Sequence, residues 1–368
     1  MAWLTGRLTR RRVLIGGGGL LLAGLGADTA RQLRQGGYEA ALARMTTRLP
    51  ETPTLADLLR YATLAANGHN TQPWRFAATE TGVRLHPDLL RRTPVVDPDD
   101  HHLFASLGCA AETLAIAARD RGRGGVVAAA TPETGLEIDL TPGVAEAQAL
   151  MPAIPLRQST RGLYDGSRLD AAQTARLVAA AARHGVEARV IADPPGMEAL
   201  LALVQEGNRA QIADPAFLVE LKEWLRFNPV AAARSGDGLF TGASGNPSLP
   251  DWLGPRVFDL VFSAGAENEK YAAQVRSSAA LLVLVAPENT PRGWVAAGRA
   301  AQRLMLQATR DGLKCAFLNQ AVEVPEVRAE LQAHLGLGDR RPNLVLRVGR
   351  GPALPRSLRR PVAAVYDS

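Results

Sequence analysis

One stretch of the chain occurs twice. The segments GCAAETLAIAARDRG (108–122) and GRAAQRLMLQATRDG (298–312) align without a gap at a constant offset of 190 residues. Gly108 meets Gly298, Ala110 and Ala111 meet Ala300 and Ala301, Leu114 meets Leu304, Ala118 meets Ala308, and Gly122 meets Gly312. Glu112 falls on Gln302 and Ile116 on Leu306. Alanine-rich helices can resemble one another by composition alone, which is the competing explanation. A repeat at this distance otherwise implies two related units. Small residues at i, i+3 spacing let two helices approach closely, so the expected fold has equivalent helices of two related halves packed together, as in a fused dimer.

A chain of 368 residues suits that arrangement, one large domain or two moderate ones. Residues 31–50 read as a linker or leading helix, 51–150 as the first half and 151–368 as the second. The first half opens on a helix from Thr54 to Asn67, with Thr54 and Asp57 spaced as a capping box. Strands follow at Trp74 to Thr79 and Val83 to His86, then a long helix from about Asp100 to Arg121 and strands at Val126 to Ala130 and Leu136 to Leu140. The second half shows a helix from Asp170 to His184, a strand from Val186 to Ile191, and helices near 197–212 and 215–227. An apolar strand from Leu281 to Ala286, a helix from Gly293 to Arg310 and a strand from Leu313 to Leu318 come next. A helix at 325–335 and a strand from Leu344 to Val348 close the unit. Residues 228–256, rich in Gly, Pro, Ser and Asn, read as a long lid-like loop.

The charge needs dividing before it is interpreted. The formal net charge is +6, and all but Lys222, Lys270 and Lys314 of the 42 basic residues are arginine. Residues 1–30 carry four arginines against Asp28, so half of the excess lies there and +3 remains. Thr9, Arg10, Arg11 and Leu14 precede an apolar, glycine-rich run, a pattern resembling a twin-arginine export signal that departs from the usual one at Val13 and Ile15. Cleavage after Ala27 or Ala30, or an uncleaved anchor, are both open. The expected location is the periplasm or cell envelope. The small remaining charge, without a basic patch interleaved with aromatics, argues against a nucleic-acid partner. Cys109 and Cys315 sit in apolar settings and read as buried thiols, with one disulfide as the alternative. No C-x-x-C or His/Cys cluster points to a metal.

Two segments carry chemistry. In AANGHNTQPWRF (65–76), Asn67, Gly68, Asn70 and Gln72 place amides just past a helix end, where uncharged two-sided donors and acceptors can read the edge of a flat heterocycle. A local cap-and-turn network is the equal alternative. In RQSTR (157–161), Arg157, Gln158, Ser159 and Arg161 offer forked cationic donors and a hydroxyl, the components of a phosphate grip. Arg356, Arg359 and Arg360 near the end can add charge to it. His69, His101 and His102 read as capping or surface groups rather than catalysts.

Taken together, these motifs resemble the nitroreductase family of FMN-dependent oxidoreductases, and in particular its Acg-type branch, in which one chain carries two nitroreductase-like halves. Asn70, Gln72, Pro73 and Trp74 match the family's N-x-Q-P-W; Ala66 and Asn67 stand where the family has Pro and Ser. Arg157, Ser159 and Arg161 match its R-x-S-x-R. The resemblance covers residues 54–365. It implies an α+β fold of mixed or antiparallel sheets flanked by helices, built as an intramolecular pseudo-dimer of a monomeric chain. It also implies FMN held by both motifs, with Phe317, Leu318 and Asn319 beside the ring and Arg359 and Arg360 at the phosphate. The arginine loop and N-x-Q-P-W lie in different halves here. One complete FMN site and one degenerate site are therefore expected, with residues 44–48 (RMTTR) as a relic of the second arginine loop. Chemistry would reside on the flavin rather than on a catalytic side chain, with NAD(P)H as a transient reductant and a nitroaromatic, quinone or similar small acceptor. A protein that sequesters FMN or senses redox state is the competing function.

Overall fold

A computed structural model describes residues 37–128 and 135–367. The export-signal pattern and part of the 126–130 strand lie outside the described residues. Among the described residues, no helix is long and apolar enough to cross a membrane.

The halves are built to one plan. In the first, α1 (Tyr38–Thr46) leads to α2 (Leu55–Thr63), whose start carries the expected capping box between Thr54 and Asp57. Strands β1 (Trp74–Ala78) and β2 (Gly82–Pro87), helix α3 (His101–Asp120) and strand β3 (Leu136–Asp139) follow. In the second, α4 (Ala171–Ala182) precedes β4 (Glu187–Ile191), and after an insertion come β7 (Ala280–Val285), α10 (Pro291–Arg310), β8 (Lys314–Phe317) and β9 (Pro342–Gly349). The second sheet is antiparallel in the order β4-β7-β9-β8. The first repeats it: β1-β2-β3, with Val127 bridged to Ile138 of β3 where β8 would stand.

Helices α3 and α10 span the same positions at the repeat offset, and they form the molecule's centre. Both are almost fully buried along one length. The glycines explain the approach. A Cβ on Gly298 would stand 1.9 Å from the Ala105 carbonyl oxygen, and one on Gly108 would stand 2.2 Å from that of Val295. No side chain can be inserted there without moving a backbone. Around this crossing the apolar core runs continuously from one sheet to the other.

Two departures from the sequence reading matter for the site. The second unit does not end within itself: β10 (Tyr366–Asp367) pairs in parallel with β1, so the chain terminus returns to the first half's sheet. Residues 228–256 are also not one open loop. After α5 (Pro194–Ala213) and α6 (Pro215–Glu223), they contain α7 (Pro229–Ser235), a two-residue strand pairing β5 (Leu225–Arg226) with β6 (Leu239–Phe240), a 3₁₀ turn, and the start of α8 (Gly254–Val261). Asn228 caps α7 through the Ala231 amide with Pro229 at the first helical position. Frequent Gly and Pro keep each element short. Helix α9 (Ala264–Arg276), which the sequence reading left unassigned, then returns the chain to β7.

Candidate functional site

The strained residues of the chain gather in one place. Among the described residues, four non-glycines have positive φ: His69, Asn70, Gln72 and Asp100. Three form the turn that leaves α2, and the fourth sits immediately before α3. Such conformations cost of order 1–3 kcal/mol each and concentrate at functional sites. Of the four, His69 borders a cavity of about 420 Å3 and Asn70 a smaller recess beside it.

One wall of that cavity is the turn itself, with Ala66, Asn67, Gly68 and His69, and beneath it the first turns of α3, with His102, Ala105, Ser106 and Cys109. The Gly68 amide donates to Ser106 Oγ at 3.2 Å, which ties the turn to the helix. Phe317 and Asn319 from the end of β8 and Tyr271 and Gln274 from α9 stand opposite. The inserted segment closes the outside through Leu239, Thr241, Pro247, Phe258 and Phe262, among others. Burial, with Arg161 and His102 nearby, lowers the His69 pKa to about 4, so its ring is neutral at neutral pH.

A small polar recess of about 50 Å3 adjoins the cavity, sharing Ala66, Asn67, Arg161 and Leu239 as lining. Arg157, Gln158, Ser159, Arg356 and Arg359 are among its other lining residues. The arginine loop is held in place as an extra strand: Thr160 N donates to Cys315 O at 2.8 Å, bringing Ser159 beside β8. Beneath it the fully buried Arg347 stacks on Tyr164, 3.9 Å from the ring centre, and donates to the carbonyls of Thr160 and Gly162.

The electrostatics of the recess are unusual. Arg157 donates to Leu64 O at 2.7 Å, and Arg359 to Thr63 O at 2.7 Å and Ala65 O at 3.0 Å, all at the carbonyl end of α2. Arg356 donates to the carbonyls of Pro155 and Arg157. Among the described residues, none of Arg157, Arg161, Arg356 and Arg359 forms an ion pair, and Arg157 Nε has no partner at all. Burial, reinforced by the neighbouring Arg356, pushes Arg157 down to about 10. Burial and the charges of Arg157 and Arg356 likewise lower Arg359 well below its ordinary value. Buried cations that repel one another and lack a carboxylate are costly unless an anion joins them.

The expected residues divide between the two spaces. Asn67, Gly68, Arg161, Phe317 and Asn319 line the cavity; Asn67, Asn70, Arg157, Gln158, Ser159, Arg161 and Arg359 line the recess. Asn70 binds the carbonyls of Gly238 and Leu358 through Nδ2, leaving Oδ1 buried without a partner. Gln72, Leu318 and Arg360 line neither space. Gln72 donates to Gly236 O and accepts from the Arg360 amide, so it fastens the turn to the insertion and the chain terminus. Leu318 packs into the core of the second sheet. Arg360 turns toward Asp88 at 3.7 Å. In place of an arginine grip elsewhere, residues 44–48 contribute only Met45 to this same recess, because α1 carries them to this side of the molecule.

Several lining groups had no motif to announce them. His102, Ser106 and Cys109 become visible only as one face of a helix at i, i+4, i+7 spacing. Gln302, the repeat partner of Glu112, accepts from the Ala66 amide at 3.2 Å and supports the turn from the opposite half. Both cysteines are free and buried. Asp97, His101 and His102 bring ligand atoms within 4.8 Å of one another. However, Asp97 accepts from the amides of His102 and Leu103 at the start of α3, and Nε2 of His101 faces Asn343 Nδ2 at 3.0 Å.

No family model matches the chain. Two sequences from strains of Mycobacterium tuberculosis, named "Putative NAD(P)H nitroreductase Rv3131" and "Putative NAD(P)H nitroreductase MT3217", are each 28% identical to it over 339 residues. The alignments cover 88% of this chain and 94% of each relative. Among solved structures, a nitroreductase with bound FMN from Bacteroides fragilis aligns with a TM-score of 0.33 and 15% identity, over 55% of this chain and 88% of its own. An FMN-dependent nitroreductase from Mycobacterium smegmatis in complex with NADPH gives 0.34 and 15%, over 56% and 88%. These structural overlaps are too low to carry weight; the sequence matches extend over almost the full length of the relatives. Over most of its length the chain is therefore similar to sequences named as NAD(P)H nitroreductases.

Proposed function

We propose that the protein is an FMN-dependent oxidoreductase, taking electrons from NAD(P)H and passing them to a small acceptor such as a nitroaromatic or a quinone. The observation that carries this reading is the recess of buried arginines without a carboxylate, opening into the larger cavity. A phosphate monoester is an anion of the size such a recess accepts, with Arg157, Arg161, Arg356, Arg359 and the Ser159 hydroxyl as donors. The cavity of about 420 Å3 lies in the range of ligand sites and is walled by apolar and amide groups, as a flat ring requires. The orphaned Asn70 Oδ1 and Arg157 Nε fit a missing polar ligand.

A bound flavin supplies two-electron exchange with a nicotinamide and onward transfer to the acceptor. The chain's own task is grip and electrostatics. The arginines would fix the phosphate end, the turn at 67–70 would hold the ring's polar edge, and Phe317 and Asn319 would border its face. Arg161 lines both spaces, so its charge favours an anionic form of whatever is bound between them. Tyr271, whose pKa is raised mainly by burial, keeps its hydroxyl proton at neutral pH.

A second reading is supported by the insertion, which walls much of the cavity's outer side. On that reading the protein holds FMN with little turnover. One experiment separates the two. The purified chain is mixed with FMN, freed of excess, and its visible spectrum recorded. NADPH is then added without oxygen, followed by a nitroaromatic or a quinone. Rapid bleaching and recovery support the oxidoreductase; stable colour without bleaching supports storage. A protein that takes up no FMN defeats both. We further propose that residues 1–30 direct export by a twin-arginine route. Cell fractionation of Arg10→Lys/Arg11→Lys should then show the protein retained in the cytoplasm.

A further inference from the structure

The repeat has a consequence away from the site described above. On α3, the cavity is lined by His102, Ala105, Ser106 and Cys109. The four residues of α10 at the repeat offset are Arg292, Val295, Ala296 and Arg299. These four line a second, separate cavity of about 200 Å3. Of its other walls, Val127 stands at the same offset from Phe317, and Leu136 of β3 lies two residues from Ile138, the partner of Val127, as Leu344 of β9 lies two residues from Leu346, the partner of Phe317. His184, just beyond α4, takes the place of the turn beyond α2.

The chemistry of this space differs from that of its counterpart. Val127, Leu136, Val295 and Ala296 give it an apolar floor. Its polar side is made by His184 and Arg299, with Arg292 at the solvent edge, 75% exposed and 3.9 Å from Glu288. Behind it the buried Glu112 accepts from Arg299 Nε at 2.9 Å and from Arg303 Nη1 at 2.7 Å, and His184 Nε2 stands 3.1 Å away. One carboxylate thus meets two guanidiniums. Arg299 uses only its Nε edge for Glu112; among the described residues, its two Nη groups have no hydrogen-bond partner. A fork of two cationic N–H groups held rigid from behind, over an apolar floor, is the receptor for a carboxylate on an apolar body.

We propose that this cavity is a second ligand site, specific for a small monocarboxylate with an aromatic or branched aliphatic body. The carboxylate pairs with the free Nη edge of Arg299, and the body rests on Val127, Leu136 and Ala296. The volume admits a single ring, and the scarcity of polar groups on the floor disfavours inorganic phosphate.

The test is calorimetric titration of the full chain with benzoate, benzamide and inorganic phosphate, performed with and without saturating FMN. One benzoate should bind per chain in both states, with benzamide and phosphate at least about tenfold weaker, the worth of one charge-assisted hydrogen bond. Arg299→Gln, which keeps the volume, and Ala296→Phe, which fills it, should each weaken benzoate by about tenfold or more, with folding checked by circular dichroism. No saturable benzoate binding, or benzamide binding as tightly as benzoate, overturns the proposal. So does benzoate binding that FMN abolishes, because it then belongs to the first cavity. Failure of the chain to take up FMN leaves the benzoate titration untouched, so the two readings fail separately.

Discussion

The two cavities share a scaffold and treat buried positive charge in opposite ways. In the recess that adjoins the first, Arg157, Arg356 and Arg359 face one another with only carbonyls for company. In the second, Arg299 and Arg303 close on Glu112. Burial alone would raise the Glu112 carboxyl, but His184 and the two arginines outweigh it and hold the group well below the usual carboxylate range. One half therefore completes its ion cluster from its own sequence, and the other leaves the anion to be supplied. The difference at the repeat position is a single atom pair: Glu112 is a charged acceptor, whereas Gln302 is a neutral one that serves the Ala66 amide. Duplicated scaffolds can diverge in function by changing where charge is neutralised, without changing the fold.

The comparison breaks most sharply at Glu112. Glu112→Ala removes a buried carboxylate from two partly buried guanidiniums and should cost about 3 kcal/mol of stability, read as a fall in thermal midpoint. The same acid sets a pH dependence. Its folded-state pKa is depressed, so its contribution is complete above the unfolded-state value of about 4.3 and is lost as pH falls below it. Denaturation curves of the wild type between neutral pH and about pH 3 should show this loss, and Glu112→Gln should flatten it.

The reverse is expected in the first cavity. Arg157→Gln with Arg161→Gln removes repelling cations, so the flavin-free chain should unfold at the same or higher temperature while FMN affinity falls about 100-fold, or about 2.7 kcal/mol. Fluorescence titration with FMN measures this, and retained affinity would remove the phosphate assignment. Gly298→Ala tests what the halves share. Its new methyl meets the Ala105 carbonyl, and the forced separation of α3 and α10 should cost about 1–3 kcal/mol in a urea titration. Gln302→Leu is the mildest change: the Ala66 amide loses one neutral acceptor, worth about 1 kcal/mol.

The pieces legible in the sequence were those with a strong local signal. The repeat located the central helix pair, and its glycines marked the crossing. The R-x-S-x-R loop reached the recess because short-range alternation along an extended segment sends Arg157 and Arg161 to one side. The N-x-Q-P-W stretch was harder. Successive positive-φ residues turn its side chains in different directions, so Asn67 faces the cavity while Gln72 binds Gly236 O. A linear motif does not encode that divergence. Leu318 was misdirected for a simpler reason, since neighbours on an extended chain point to opposite faces and Phe317 takes the cavity side. The insertion's helices hid behind frequent Gly and Pro, and β10, two residues long, leaves no pattern to read.

The return of the terminus to β1 sets the order in which the molecule can be finished. Arg356 and Arg359 close the recess, and Tyr366 and Asp367 complete the first sheet, all from a stretch synthesised long after β1. A nascent chain, however well its early helices have packed, has neither the arginines nor the edge strand. Closure of the recess therefore has to wait until residues 356–367 have left the ribosome. A chain interrupted before residue 356 lacks both of these arginines and the edge strand.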